Sequence, residues 1–427
     1  MDLSVKYDTL QLSQQLIDRQ ATTHLPNIKS FLDEWCHMEL GGAIGAGRGS
    51  VGKTWVGKAL KVPRTKGVLF ALFIPVNEII VSTGLGAVEL LTKCHQGVAD
   101  KLTQTVDAYA EADKAAYEAL SSALQSVGAT APPFEDPRDS PAQLGEATTK
   151  AGALYGGADP IVEDQIRQGF QEAGQYADTL KDRAKQRVAD ATTSDRSVKE
   201  SQDASSYLVT PEAPDNEMEN IRWSAGVVAG SIDWFIEKVF GISLLNDIIF
   251  KYVVGDWRLV NMAETAWTEI GDALVAVGQN DSETLPALAE WTGEGSELAS
   301  AFIAALSLAT TKLSAAAGFM STLLKVFGFF LKEAAKDLGE TINKLVNSLL
   351  RKLAEASIPV AGWATAALDS LISFEEDVAM IRRIYMVVNF IVDAIEGFVR
   401  GKAQMVEVAN TMSNLTEAAA RGVAARA

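Results

Sequence analysis

Eight residues, Gly47 to Thr54, have the types and spacing of a phosphate-binding loop and read GRGSVGKT. In such a loop the backbone N–H groups and the lysine, here Lys53, converge on phosphate oxygens. The loop needs a strand before it and a helix after it, whereas the preceding residues read DEWCHMELGGAIGAG, a helix end and a flexible run. Nucleotide binding is therefore an alternative that lacks its supporting elements.

Two Cys-His pairs, Cys36-His37 and Cys94-His95, carry thiols and imidazoles that could form a disulfide or bind zinc. Adjacent residues of a helix point in different directions, which disfavours a zinc site, so we expect no metal and no cofactor. If two antiparallel helices place residue 4 opposite residue 126, then Cys36 lies opposite Cys94. The pattern predicts either a Cys36-Cys94 disulfide or two free thiols.

Tyr109 and Asp113, in the segment YAEAD, have a spacing suited to recognition rather than catalysis. A spacing of four puts the phenol and the carboxylate on one helix face, one turn apart, where a partner can bind both. A tyrosine at the core edge beside a solvated acid is the alternative. Asp113 falls on the apolar stripe of its helix, where simple packing would prefer Leu or Ala, and this favours recognition.

Helical periodicity supplies the elements that position these residues, because apolar residues alternate spacings of four and three in three segments. Pro26 interrupts the first segment and predicts a kink or a restart. His24 is interpreted as a packed histidine, and with no catalytic constellation we expect no enzyme. The stripes are Ile17, Ala21, His24, Ile28, Phe31 and Trp35; Leu102, Val106, Tyr109, Asp113, Ala116 and Leu120; and Val260, Ala263, Trp267, Ile270, Leu274 and Val277.

The chain divides into four parts. We predict a helical hairpin in residues 1 to 130, with a Gly-rich insertion at 41 to 76, and a linker and polar helix in residues 131 to 220. A second hairpin is predicted in residues 221 to 355, and further helices in residues 356 to 427. We predict an all-α fold, an elongated helical bundle built from two fused hairpins. The net charge of -17 argues against nucleic acid as a partner.

The insertion carries six basic residues and no acid between Glu39 and Glu78, and it ends in GVLFALFIPV. Basic residues beside an apolar anchor suit an anionic membrane surface, so a membrane-interacting or pore-forming helical effector is an alternative function. A solvated loop whose apolar end packs on the bundle explains the same pattern. The basic residues are Arg48, Lys53, Lys58, Lys61, Arg64 and Lys66.

Trp291, Thr292 and Gly293 form a W-x-G turn in the second hairpin, where glycine can end a helix and tryptophan can cap the apolar seam. The W-x-G turn and the Y-x-x-x-D segment together resemble the type VII (ESX) secretion substrates. In that family a hairpin with W-x-G in its turn pairs with a second hairpin whose C-terminal helix ends in the export signal Y-x-x-x-D/E. Residues 1 to 125, especially GVADKLTQTVDAYAEADKAAYEAL, resemble the EspC family. Residues 254 to 335 resemble the WXG-type trafficking domain of CpnT-like actinobacterial toxins.

The resemblance implies an exported protein. Tyr109 and Asp113 would be the export signal bound by the ATPase of the secretion machinery, and Trp291 and Gly293 the turn of the partner hairpin. A secretion chaperone, a WXG partner or a second copy of the chain are further partners that it allows. The chain opens with the polar MDLSVKYDTLQLSQQL rather than an apolar leader, so either it stays inside the cell or another signal exports it. The resemblance makes the type VII system the expected route to a secreted or envelope location.

Overall fold

The structure, a computed structural model, describes residues 6–38, 68–126, 132–147, 198–212, 257–289, 291, 296, 299–325, 327, 328 and 410. Within these ranges the regular elements are helices and no strand is present, so the predicted all-α fold is confirmed. Residues 41–67 of the insertion, and nearly all of the predicted C-terminal helices from 356, lie outside the described residues.

The first arm of the N-terminal hairpin consists of two helices joined by a π turn. Pro26 stands in the first turn of the second helix. Proline has no N–H for the carbonyl four residues earlier, so the α-helical hydrogen-bond ladder is interrupted there. The interruption takes the form of the π turn, through which the backbone stays helical. Gln20 and His24, both in the π turn, are buried. The elements are α1 (Tyr7–Arg19), the π turn (Gln20–His24) and α2 (Leu25–Trp35).

The second arm, α3, is a single helix, Val68–Ser126, of 59 residues. At 1.5 Å per residue it is about 88 Å long. It begins at Val68 rather than near residue 77 as the sequence predicts, and it includes Pro75. The two arms run antiparallel, as three contacts along their length indicate: Tyr7 to Asp113, Lys29 to Glu89 and Met38 to Glu78.

The register of these arms separates the two cysteines. Asn77 Nδ2 donates a hydrogen bond to the Cys36 carbonyl at 2.9 Å, so Cys36 lies beside residue 77 of α3. Cys94 is roughly 17 residues, or about 26 Å of α-helix, further along α3. The Cα atoms of a disulfide lie within about 7 Å of each other. Both cysteines are buried and neither is in a disulfide, so the predicted Cys36-Cys94 disulfide is wrong and the alternative of two thiols without a disulfide holds.

We expect both thiols to resist modification in the folded protein. Burial raises the pKa of the Cys36 thiol, and the Glu78 carboxylate raises it further, which disfavours the reactive thiolate. Ellman's reagent should therefore react slowly with the native protein. In denaturant it should react readily with both cysteines, without prior reduction. If thiols became reactive in denaturant only after a reductant was added, the register described above would be contradicted.

The second hairpin is formed by α4 (Trp257–Glu283), a short α5 (Leu285–Ala289) and α6 (Ala299–Lys325). Ser307 Oγ donates to the Gly278 carbonyl at 2.7 Å, and Ser314 Oγ donates to the Gly271 carbonyl at 2.9 Å. A Cβ at position 278 would lie 3.3 Å from the Ser307 carbonyl oxygen, so the close approach favours glycine there. Helices α4 and α6 thus form the antiparallel hairpin that the periodicity predicts.

One hydrophobic core joins the two hairpins. Every residue of the α1-α2 stripe and of the α4 stripe is buried, as their spacing predicts. Within the described ranges, α6 is the one helix long and apolar enough to cross a membrane, and 72% of its most apolar stretch is buried inside the fold.

Candidate functional site

The tyrosine of the Y-x-x-x-D segment contacts the tryptophan of the W-x-G motif. Trp291 Nε1 donates a hydrogen bond to Tyr109 Oη at 3.1 Å. The two rings meet edge to face, with centroids 6.1 Å apart and planes at 90°, a favoured geometry that contributes about 0.5–1.5 kcal/mol beyond burial. Trp291 is buried and Tyr109 half-buried. Two segments separated by 182 positions therefore form one contact.

Asp113, one turn further along α3, is held by the other arm of its own hairpin. Tyr7 Oη donates to Asp113 Oδ2 at 2.6 Å. Partial burial raises the pKa of Tyr7 above its ordinary value, and the hydrogen bond to Asp113 raises it further, so the phenol stays protonated as the donor. Asp113 itself is exposed. The hydrogen bond therefore orients the carboxylate and leaves it accessible to a second partner.

The stripe that carries Asp113 leaves the core within the Y-x-x-x-D segment. Leu102 and Val106 are buried, whereas Ala116 is exposed and the Leu120 side chain is 61% exposed. The expectation that Asp113 continues a packed stripe is therefore not met. The last turns of α3 present their side chains to solvent, which makes this end of the helix accessible to a partner protein.

Residues 132–147, which we call the strap, fix the exposed end of α3. Arg138 Nη1 lies 2.9 Å from Glu111 Oε1 on α3. Tyr117 donates a hydrogen bond to the Pro132 carbonyl, and its ring lies 5.3 Å from the Phe134 ring, measured between centroids. The turns on both sides of Asp113 are thus held by side chains of the strap.

The strap also lies along α1, where side-chain amides bind its backbone. Gln11 Nε2 donates to the Pro137 carbonyl at 3.0 Å, and Gln11 Oε1 accepts from the Ala142 N–H at 3.2 Å. Gln15 Nε2 donates to the Ala142 carbonyl at 2.6 Å. The sequence predicts only a connector here. The available signal was two glutamines four residues apart on the polar face of α1, because an amide side chain can satisfy both a backbone donor and an acceptor.

A buried histidine-carboxylate pair joins α3 to α4. His95 Nε2 lies 3.0 Å and 3.1 Å from the two carboxylate oxygens of Asp281, and both side chains are fully buried. His95 Nδ1 lies 2.9 Å from the Leu91 carbonyl oxygen, which can only accept, so Nδ1 is a donor. A second proton is therefore shared between Nε2 and the carboxylate. Loss of either side chain would leave an unpaired polar group in the core.

No protein-family model, curated protein or solved structure matches this chain. Several predicted site residues lie outside the described ranges: Gly293, the loop Gly47 to Thr54, and the basic residues Arg48, Lys53, Lys58, Lys61, Arg64 and Lys66.

The arrangement around Tyr109 suits recognition of a partner protein. An aromatic pair and a carboxylate lie one helical turn apart, and side chains from the rest of the fold hold both. Across the part of the chain that the structure describes, no group of three or more His, Cys, Asp or Glu residues could hold a metal ion. We refer to Tyr109, Asp113, Trp291 and Tyr7 as the signal face.

Proposed function

We propose that this chain is a substrate, or the trafficking portion of a toxin, of a type VII (ESX) secretion system, and that the signal face is its export signal. Tyr109 and Asp113 are the residues of the export signal in the first hairpin, and Trp291 is the residue of the second hairpin that belongs to it. The ATPase of the secretion machinery is the proposed reader, and the secreted fraction or the cell envelope the proposed destination. Recognition of this kind requires no covalent step.

The observation that carries this proposal is the contact between Tyr109 and Trp291. The resemblance to paired hairpins requires the export segment of one hairpin to meet the turn of the other. In this chain the two residues share a hydrogen bond of 3.1 Å and an edge-to-face ring contact. A fused pair of hairpins is expected to bring these two segments into contact, whereas no such contact is expected of two unrelated helical segments.

The second support is the state of Asp113. An exposed carboxylate can accept a hydrogen bond or an ion pair from a reader protein, and the bond from Tyr7 holds it in one orientation beforehand. Such preorganisation lowers the conformational entropy lost on binding. The signal face therefore offers a fixed charge beside an aromatic surface, both formed before the reader arrives.

Export of single-residue variants tests the proposal. We expect Asp113→Ala and Tyr109→Ala to remain in the cell while the wild-type chain reaches the culture medium. A charge-assisted hydrogen bond contributes about 1.5–3 kcal/mol, so loss of the carboxylate should weaken binding to the ATPase roughly 10- to 100-fold. The measurement is immunoblotting of cell and medium fractions from an actinobacterium that carries the secretion system.

Asp100→Ala provides the matched control. Asp100 is an exposed carboxylate on the same helix, outside the signal face, so this variant should be exported at the wild-type level. Wild-type secretion of both Tyr109→Ala and Asp113→Ala would refute the export signal. Equal loss from Asp100→Ala would show that general acidity of α3, and not the signal face, governs export.

A further inference from the structure

Ser205, His24 and Glu200 form a hydrogen-bonded chain away from the signal face. Ser205 Oγ lies 2.8 Å from His24 Nδ1, and His24 Nε2 lies 2.7 Å from Glu200 Oε1. Residues 198–212 place Ser205 and Glu200 beside the π turn that carries His24. A hydroxyl, an imidazole and a carboxylate in this order are the elements of an activated serine nucleophile.

The hydrogen bonds fix the tautomer of His24. The backbone N–H of Ser205 donates to His24 Nδ1 at 3.2 Å. Because a backbone N–H can only donate, Nδ1 carries a lone pair, and the ring proton of the neutral imidazole is on Nε2, facing Glu200. The same lone pair faces the Ser205 hydroxyl at 2.8 Å, the arrangement that a general base requires.

Glu200 is held as the acceptor on the far side of the ring. It is buried, and it forms an ion pair with Arg19 through its second oxygen. Burial acts to raise the pKa of Glu200, but the hydrogen bonds from His24 and Arg19 outweigh it and lower the pKa below its ordinary value. The side chain is therefore an ionised carboxylate that orients the imidazole through the Nε2 proton.

Asn27 lies on the solvent side of the hydrogen-bonded chain and contacts Ser205. Asn27 Nδ2 donates to Ser205 Oγ at 3.0 Å, Asn27 is exposed and Ser205 is half-buried. In the free protein this amide binds the nucleophilic oxygen itself. When Oγ attacks a carbonyl, the oxygen that becomes negative is bonded to the attacked carbon, so the amide can turn from Oγ to that oxygen. Among the described residues, Ser205 therefore lies next to an exposed side chain and not in the core.

We propose that Ser205 is a base-activated nucleophile that accepts acyl groups from esters, with His24 as the base and Asn27 as a donor to the oxyanion. Ser205 Oγ bonds to the acyl carbon, and its proton passes to His24 Nδ1. The bond to the leaving alcohol breaks, and the alcohol takes that proton. Water then attacks the acyl-serine in the same way, which releases a carboxylic acid and restores Ser205.

The test uses the purified full-length chain and a fluorophosphonate probe, which phosphonylates activated serines with loss of fluoride. We expect one probe per chain, located at Ser205 by peptide mass spectrometry, and release of nitrophenolate from p-nitrophenyl acetate. Ser205→Ala should abolish both. Asn27→Ala, at an exposed position, should slow labelling by about 100-fold. His24→Ala should slow it by a factor on the order of 100 or more, and added imidazole should restore part of the rate.

Ser206→Ala is the matched control, because the Ser206 hydroxyl donates to the Asp203 carbonyl and lies outside the chain of three. This variant should be labelled at the wild-type rate. Absence of labelling in the wild-type protein would overturn the proposal, as would undiminished labelling of Ser205→Ala or Asn27→Ala. Circular dichroism of each variant checks the fold, so that the Asn27 result decides the matter if His24→Ala fails to fold.

Discussion

Replacement of Asp281 by alanine is expected to lower the free energy of unfolding by about 3–5 kcal/mol. The change removes the partner of His95 Nε2 in a site where both side chains are fully buried. The imidazole cannot reach water, and its other nitrogen is already bonded to the Leu91 carbonyl. Urea denaturation near neutral pH, followed by circular dichroism, measures the loss.

Two further variants separate this pair from a general effect of charge. Asp107→Ala removes an exposed carboxylate that lies 3.7 Å from Arg138, so it should change the free energy of unfolding by less than about 1 kcal/mol. The double variant His95→Leu with Asp281→Leu should recover most of the loss, because apolar side chains leave no unpaired group. If Asp281→Ala unfolded at the wild-type urea concentration, the buried pair would have no part in joining the hairpins.

Replacement of Trp291 by alanine is expected to reduce export to the level of Tyr109→Ala. The indole donates the hydrogen bond to Tyr109 and provides the edge-to-face contact, so its loss removes what the second hairpin adds to the signal face. Residues that act as one unit give non-additive effects. The double variant Tyr109→Ala with Trp291→Ala should therefore be exported no less than either single variant, as measured in the medium fraction.

The Trp291→Ala variant also creates a cavity, which lowers the free energy of unfolding by about 3–5 kcal/mol for a buried tryptophan. Two less disruptive tryptophan-to-phenylalanine variants therefore provide the control. Trp267 is 1% exposed, and its indole N–H has no hydrogen-bond partner among the described residues. Trp267→Phe and Trp291→Phe remove similar volumes, but the second also removes the bond to Tyr109. We expect reduced export of Trp291→Phe alone. Equal export of the two would contradict a role for Trp291 in recognition.

The helical part of the fold follows from local pattern. The spacing of apolar residues predicts one buried face on α1-α2 and on α4, and each of those residues is buried, Ile17 and Trp267 among them. Proline chemistry predicts the interruption at Pro26. These features depend on residues within a few turns of one another, which the sequence shows directly.

Axial register could not be predicted in the same way. Periodicity determines which face of a helix is buried, but sliding one helix by a turn along another preserves that face. The assumed pairing of residue 4 with residue 126 placed Cys36 opposite Cys94. The contacts of Asn77 with Cys36 and of Tyr7 with Asp113 set a different register. Polar side chains with specific partners decide the offset, because their hydrogen bonds tolerate only small displacements.

The same distinction applies to function. The sequence by itself determined the helices, the spacing of Tyr109 and Asp113 on one face, and the presence of a W-x-G motif. Only the tertiary structure decided that Trp291 meets Tyr109, that Tyr7 binds Asp113, and that His24 lies between Ser205 and Glu200. Local spacing fixes direction around a helix, whereas contacts between residues more than a hundred positions apart depend on how whole helices pack.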